Sequence, residues 1–267
     1  VTPEAYFTTV DQVGAYVINY YSYLQNSRQQ SLYHDKNWRS GMTLNDNNTD
    51  NLFSQTGDLD YFAGEKQVPS GKNFQTYTSR ARVWNWLLEQ ILPKEEAGSI
   101  QGDKSILSHY IGEAYFFRAL AYYQALVRYG DFPIIDEVLP DDQAILKELS
   151  QRAPRNEVAR FIISDLDKAY AYMSDVDMAT TRINKDAAML VKSRVALFEA
   201  TWLQNFKGTA FVPGGEGWPG ASLHNNYQYP SGNLDNEVKY FLEQAVEASK
   251  LLSLIHISEP TRHAQIS

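Results

Sequence analysis

Residues 113–135 read Glu-Ala-Tyr-Phe-Phe-Arg-Ala-Leu-Ala-Tyr-Tyr-Gln-Ala-Leu-Val-Arg-Tyr-Gly-Asp-Phe-Pro-Ile-Ile, and this stretch decides the fold. It is apolar around most of a helical circumference, a pattern that a helix tolerates only when neighbours cover it on several sides. Gly130 ends the helix and Pro133 prevents its restart, the expected punctuation of a C-terminus. Arg118 and Arg128 interrupt the apolar surface. A buried arginine demands partners, so both are expected to anchor helix packing through ion pairs or carbonyls, with Glu113 and Asp131 as nearby acids.

Working outward, apolar periodicity predicts six helices. They cover residues 9–25, 76–92, 103–129, 155–173, 185–205 and 234–251, with Pro93 expected to stop the second. The second and third, then the fourth and fifth, form antiparallel pairs of similar size. Ala114, Ala121, Ala188 and Ala196 allow close approach of neighbours. The predicted fold class is therefore all-α, with tetratricopeptide-like helix pairs and long irregular loops. No strand alternation is long enough for a substantial sheet.

The chain has 267 residues, enough to bury a sizeable core. No apolar run approaches the ~18–20 residues of a bilayer-spanning helix. The net charge is −8 with no basic stripe, which argues against nucleic acid as a partner. Cysteine is absent, which excludes disulfides and thiolate metal sites. Aromatic residues make up 13% of the chain, and many sit in polar segments, where rings suit either stacking on sugars or loop packing.

Several ordered motifs resemble the SusD/RagB family of outer-membrane nutrient-binding lipoproteins. The stretch Glu113-Ala-Tyr-Phe-Phe-Arg118-Ala119, followed by Tyr122-Tyr123 and Tyr129-Gly130-Asp131-Phe132-Pro133, is similar to the family's signature helix. Thr2-Pro3-Glu4 with Tyr6-Phe7, Asn85 between Trp84 and Trp86, Pro154-Arg155 with Asp165-Leu166, and Arg182-Ile-Asn-Lys185-Asp-Ala-Ala188 resemble other family positions. The resemblance covers nearly everything before Leu252. It implies non-catalytic glycan binding for nutrient uptake, as a surface-exposed outer-membrane component beside a SusC-like TonB-dependent transporter. It implies a lipid anchor that is absent from this chain as the sole membrane contact, and no cofactor. The alternative class is a helical-repeat adaptor holding proteins together.

From Leu252 the chain reads Leu-Ser-Leu-Ile-His-Ile-Ser-Glu-Pro-Thr-Arg, which resembles a translated sequencing adapter. The domain reading is therefore an incomplete SusD-like helical region over 1–251 and a non-native, extended tail over 252–267. Phe241, Ala245 and Val246 on the last helix then need a partner that the tail cannot supply, because Pro260 prevents a long packing helix.

No catalytic constellation stands out. Gly214-Gly215-Glu216-Gly217 lacks the Lys-Ser/Thr of a phosphate loop, and Asp46-x-Asn48-x-Asp50 has Asn51 and Gly57 where a calcium loop needs Gly and Glu. Acids beside aromatics, such as Asp58 and Asp60 near Tyr61, raise glycoside hydrolysis, but no residue set fills its roles. Sugar recognition needs a flat ring for the apolar face and planar polar groups for the hydroxyls. Trp38, Arg39, Asn45, Asp46, Asp58 and Tyr61 supply those types in the polar segment 34–61, where the family's loops contact glycan. Trp218, in the loop with Tyr227 and Tyr229, is a second candidate for ligand or partner contact.

Overall fold

A computed structural model describes residues 6–23, 48–49, 52–53, 73–174 and 182–258. Among these residues there are seven α-helices: α1 (Val10–Ile18), α2 (Asn73–Glu96), α3 (Lys104–Tyr129), α4 (Gln143–Leu149), α5 (Arg155–Tyr172), α6 (Lys185–Asn205) and α7 (Leu234–Ser258). The unit spanning residues 14–73 holds two two-residue strands, β1 (Asn48–Thr49) and β2 (Leu52–Phe53), paired antiparallel with Asn48 opposite Phe53. All the packing described below lies in the other unit, residues 1–13 and 74–267.

The signature segment is one helix, α3, bounded as its sequence requires. Asp103 accepts hydrogen bonds from the backbone N–H of Ser105 (2.8 Å) and Ile106 (3.4 Å), satisfying two otherwise orphaned donors. At the other end Gly130 has φ +71°, and its N–H reaches Leu126 O at 2.9 Å. Between the caps Ile111, Ala114, Phe116, Phe117, Ala121, Tyr122 and Leu126 are buried.

Side-chain contacts set the helix directions. Tyr77, Arg80 and Trp84 of α2 meet Tyr129, Gln124 and Phe117 of α3, so the two run antiparallel. Trp84 stacks on Phe117 at 4.9 Å with planes 10° apart. Such a pair contributes about 0.5–1.5 kcal/mol beyond its burial. Ser108, Arg118 and Tyr122 of α3 meet Tyr172, Asp165 and Phe161 of α5, again antiparallel. Arg155 and Asp167 of α5 meet Glu199 and Lys192 of α6, and Ser193 of α6 meets Ala245 and Ser249 of α7. Ala114, Ala121, Ala188 and Ala196 are all buried, as close packing requires. The result is the expected stack of antiparallel helices.

Four features differ from the sequence reading. Pro93 lies inside α2, which continues to Glu96. Its ring is compatible with helical φ and removes one donor in the last turn, where Ala97 N–H still reaches Pro93 O at 3.1 Å. The short α4 lies outside the six helices that periodicity predicts. Arg128 is exposed, so of the two arginines only Arg118 serves the core. Finally, α7 passes Leu251 and runs to Ser258, so the helix does not break where the adapter-like string begins. Phe241 (0% exposed) and Ala245 (7%) are buried, while Leu242 (40%) and Val246 (50%) face solvent. The apolar face of α7 is thus split: one half is covered, and the other borders the Ser193–Ser249 contact (2.8 Å).

Candidate functional site

Buried ion pairs join the helices of the stack. Arg118 on α3 forks onto Asp165 of α5, with Nε to Oδ2 and Nη2 to Oδ1 both at 2.7 Å. Its Nη1 donates to Asn85 Oδ1 (3.0 Å) and Asp136 O (3.2 Å). The Asn85 amide donates to Ile135 O (2.8 Å) and Glu137 O (3.1 Å), and the Tyr122 hydroxyl bonds both N–H and C=O of Ile135 at 2.8 Å. This cluster fixes the start of the loop after α3. Burial pushes the Tyr122 phenol up to about 12, so it stays neutral. Burial also pushes the Asp165 carboxyl up, against the opposing pull of Arg118.

Arg182 forks onto Glu113, whose Oε1 also lies 3.3 Å from His109 Nε2. The same imidazole nitrogen is 2.9 Å from Ile183 O, which ties α3 to the segment leading into α6.

A second cluster lies under the loop 206–233. Arg155 binds Glu199 through Nε (3.0 and 3.2 Å) and Nη2 (2.9 Å), while the Trp202 ring lies 4.1 Å from its guanidinium carbon. Asp131 accepts from Arg155 backbone N–H (2.9 Å) and from Trp218 Nε1–H (2.7 Å). Arg160 forks onto Glu237, both bonds at 2.7 Å, and Asn156 donates to Glu237 Oε1 (3.0 Å) and to the Tyr227 hydroxyl (2.9 Å). The Tyr227 O–H is shared between Glu157 Oε1 (2.9 Å) and Asn156 Oδ1 (3.1 Å), and Tyr229 O–H donates to Pro213 O (2.5 Å).

The electrostatics follow from this arrangement. Burial raises Glu199 and Asp131, and the donors around them oppose the shift. Glu237 is pushed up by burial, yet hydrogen bonds from Arg160, Asn156 and Ser231 prevail and hold it below its ordinary value. Burial pushes the Tyr227 and Tyr229 phenols well up. Each buried carboxylate therefore spends its oxygens on an arginine or on loop donors. The chemistry of this cluster is that of a clamp holding a loop on α5 and α7.

Trp218 belongs to that clamp. Its ring is 5% exposed and lies beside His224 (5.9 Å) and Tyr227 (5.6 Å), so its face is not open to a ligand in this conformation. The loop is pinned by its own backbone as well: a Cβ at Gly215 would sit 1.9 Å from Thr209 O, so only glycine fits. Trp38, Arg39, Asn45, Asp46, Asp58 and Tyr61 lie outside the described residues. Of the calcium-like triplet, Asn48 is in β1 while Asp46 and Asp50 are also outside them.

One surface escaped the sequence reading. Phe198 and Trp202 on α6 and Phe206, the residue that caps its C-terminus, recur every four residues and continue onto Phe211, with ring centroids 5.9, 4.5 and 5.4 Å apart. Phe211 is 60% exposed, and its carbonyl accepts from Trp202 Nε1–H at 3.0 Å. The spacing by four was the signal available.

Comparison with known proteins agrees with this architecture. A SusD-like family model, described as starch-binding associating with outer membrane, matches residues 7–197. The SusD-like protein P2 of Formosa agariphila is 29% identical over 116 residues, which is 43% of this chain and 23% of that protein. A SusD-like protein from Bacteroides fragilis, 25% identical, aligns with a TM-score of 0.54 over 76% of this chain and 37% of its own. A SusD homologue from Bacteroides thetaiotaomicron, 17% identical, shares the fold with a TM-score of 0.57 over 94% of this chain and 42% of its own. The chain thus spans less than half the length of these relatives. With the family model matched across most of its residues, and with the helical stack that the SusD-like structures share, the chain belongs to the SusD-like family of starch-binding proteins associating with the outer membrane.

Proposed function

We propose that this protein binds oligosaccharides or polysaccharides at the outer surface of the cell and passes them to a SusC-like TonB-dependent transporter, without catalysing their cleavage. The family match over residues 7–197 carries the reading. The buried carboxylates support the non-catalytic part: Glu113, Asp165, Glu199 and Glu237 are each tied to an arginine, whereas hydrolysis needs two carboxyls free to face each other across a cleft. Among the described residues no helix is long and apolar enough to cross a membrane; in this reading membrane association comes through a lipid anchor.

Trp38, Arg39, Asn45, Asp46, Asp58 and Tyr61 are proposed as ligand contacts, on the chemistry of ring stacking and planar hydrogen bonding. Trp218, the further candidate, holds its own loop to Asp131. The test is retention of the purified protein on a polysaccharide panel. The reading expects retention on one glycan class, lost in Trp38→Ala and in Tyr61→Ala. Retention on none contradicts it and favours the adaptor reading, to which the exposed Leu190, Leu197, Leu242 and Val246 also lend themselves.

A further inference from the structure

Residues 6–10 lie against the end of α2 and the turn that leads into α3. Lys94 Nζ of α2 donates to Tyr6 O at 2.6 Å, and Gln101 N–H, in the turn, donates to Thr8 O at 2.8 Å. Val10 N–H returns a bond to Gln101 O at 2.9 Å, which makes a parallel bridge between Thr9 and Gln101. Beyond the bridge α1 starts from its own capping box. The Gln12 side chain accepts from the N–H of Thr8 (2.8 Å) and Thr9 (3.3 Å), and Gln12 N–H reaches Thr9 Oγ1 at 3.4 Å. The first turn of α1 is thus closed by its own side chains, separately from the bridge.

The middle of this segment is strained. Phe7 has φ +56°, in the left-handed region that a bulky side chain rarely adopts. Its ring is fully buried, 4.7 Å from the Tyr6 ring and 5.8 Å from that of Trp86 on α2. Such a backbone persists only where the surrounding contacts over-determine it. On one residue, burial of the ring favours docking while the backbone opposes it. The surface it docks on has little slack: Gly102 has φ +127°, and a Cβ there would sit 2.8 Å from Val10 Cγ2.

We propose that residues 6–10 are a strap that opens and closes as a unit, with Phe7 as its latch, while the helical stack stays folded. Closed, the strap pins the chain at the turn between α2 and α3. Open, it leaves the chain free up to the start of α1, which adds as much as about 17 Å of reach for five extended residues. Opening also uncovers the place of the Phe7 ring beside Trp86 and the backbone edge of Gln101. The strain at Phe7 lowers the cost of opening, so the strap lets go before the stack does.

The test is hydrogen exchange of the full chain, read amide by amide by nuclear magnetic resonance. In the wild type the Val10 and Gln101 amides should be at least about a hundredfold less protected than those of residues 111–122 in buried α3. Phe7→Ala keeps the strained backbone and loses the ring. It should speed exchange of both amides at least about tenfold and leave α3 unchanged. Phe7→Gly loses ring and strain together, and both amides should exchange at least about threefold more slowly than in Phe7→Ala. Should Phe7→Ala fold poorly, Lys94→Met removes the bond to Tyr6 O and should speed the same two amides without touching α3. Protection of Val10 and Gln101 equal to that of α3 in the wild type overturns the proposal, because the segment then opens only with the whole stack. A variant that moves one of the two amides without the other overturns the strap as a unit. Equal exchange in Phe7→Gly and Phe7→Ala overturns the strained latch.

Discussion

Replacing Asp165 by alanine removes both charge-assisted bonds to Arg118 and leaves a guanidinium, 3% exposed, with only two neutral acceptors, Asn85 Oδ1 and Asp136 O. Breaking one side of a buried ion pair costs about 3–5 kcal/mol, because the remaining charge is desolvated without compensation. The neighbouring Lys168, 3.9 Å from Asp165 and 48% exposed, adds little to the pair itself. A loss of this size is a large share of the ~5–15 kcal/mol that holds a typical domain, and it corresponds to a fall in Tm on the order of 10 °C. Urea unfolding followed by far-ultraviolet circular dichroism measures it. The companion variant Arg118→Met/Asp165→Leu removes both charges and should recover most of the loss. Recovery stays incomplete by about 1 kcal/mol, since Asn85 and the Asp136 carbonyl lose a donor. A cost below about 1 kcal/mol for Asp165→Ala, or a double variant no better than the single one, refutes the view that this pair is a mutually dependent cross-link.

Gly112→Ala should destabilise by about 1–2 kcal/mol despite alanine's helix preference, because overpacking outweighs propensity. The new Cβ would meet Met173 Cγ at 2.7 Å and the backbone atoms Ala169 O and Met173 N at 2.9 Å; an unchanged urea midpoint argues against so close an α3–α5 crossing. Two carboxyls should show opposite pH signatures in urea titrations. Glu237 is held below its ordinary 4.5, so its contribution is present above 4.5 and fades on acidification; the stability gap between wild type and Glu237→Gln should narrow as pH falls. Asp131 is raised above its ordinary 3.8, so its contribution is full below 3.8 and fades as pH rises through the folded value; the gap to Asp131→Asn should move the other way. Equal slopes for the two variants would reject the burial argument. The string from Leu252 is proposed to be adapter-derived, and independent genomic reads should then depart from it at that codon; reads that continue through it remove the proposal.

The helical stack was legible because its signals are local. Asp103 and Gly130 bracket α3 as a cap and a left-handed stop, and the periodicity of α6 returned its bounds, Lys185–Asn205, unchanged. The helix α4 was hidden because two turns are too short for periodicity to register, and Pro140-Asp141-Asp142 reads as loop. The role of Arg118 could be stated in kind, but not its partner: Asp165 lies 47 residues away, and nothing in the sequence says which acid on an apolar face turns inward. Glu199 and Glu237 pose the same difficulty, being matched to arginines 44 and 77 residues distant. A ring in a polar loop, such as Trp218, suggests exposure. Asp131, 87 residues earlier, gives its N–H a partner and allows the ring to be buried, a long-range fact that composition does not carry.

The central claim is binding of a glycan without its cleavage. Isothermal titration of the purified protein with the oligosaccharide retained on the panel, followed by a reducing-end assay on the same sample, tests it most directly. Saturable heat is expected in the wild type, none in Trp38→Ala or Tyr61→Ala at matched concentration, and no new reducing ends after prolonged incubation. Heat that survives both substitutions would contradict the assignment of the site to residues 34–61, and reducing ends accumulating with time would contradict binding without catalysis.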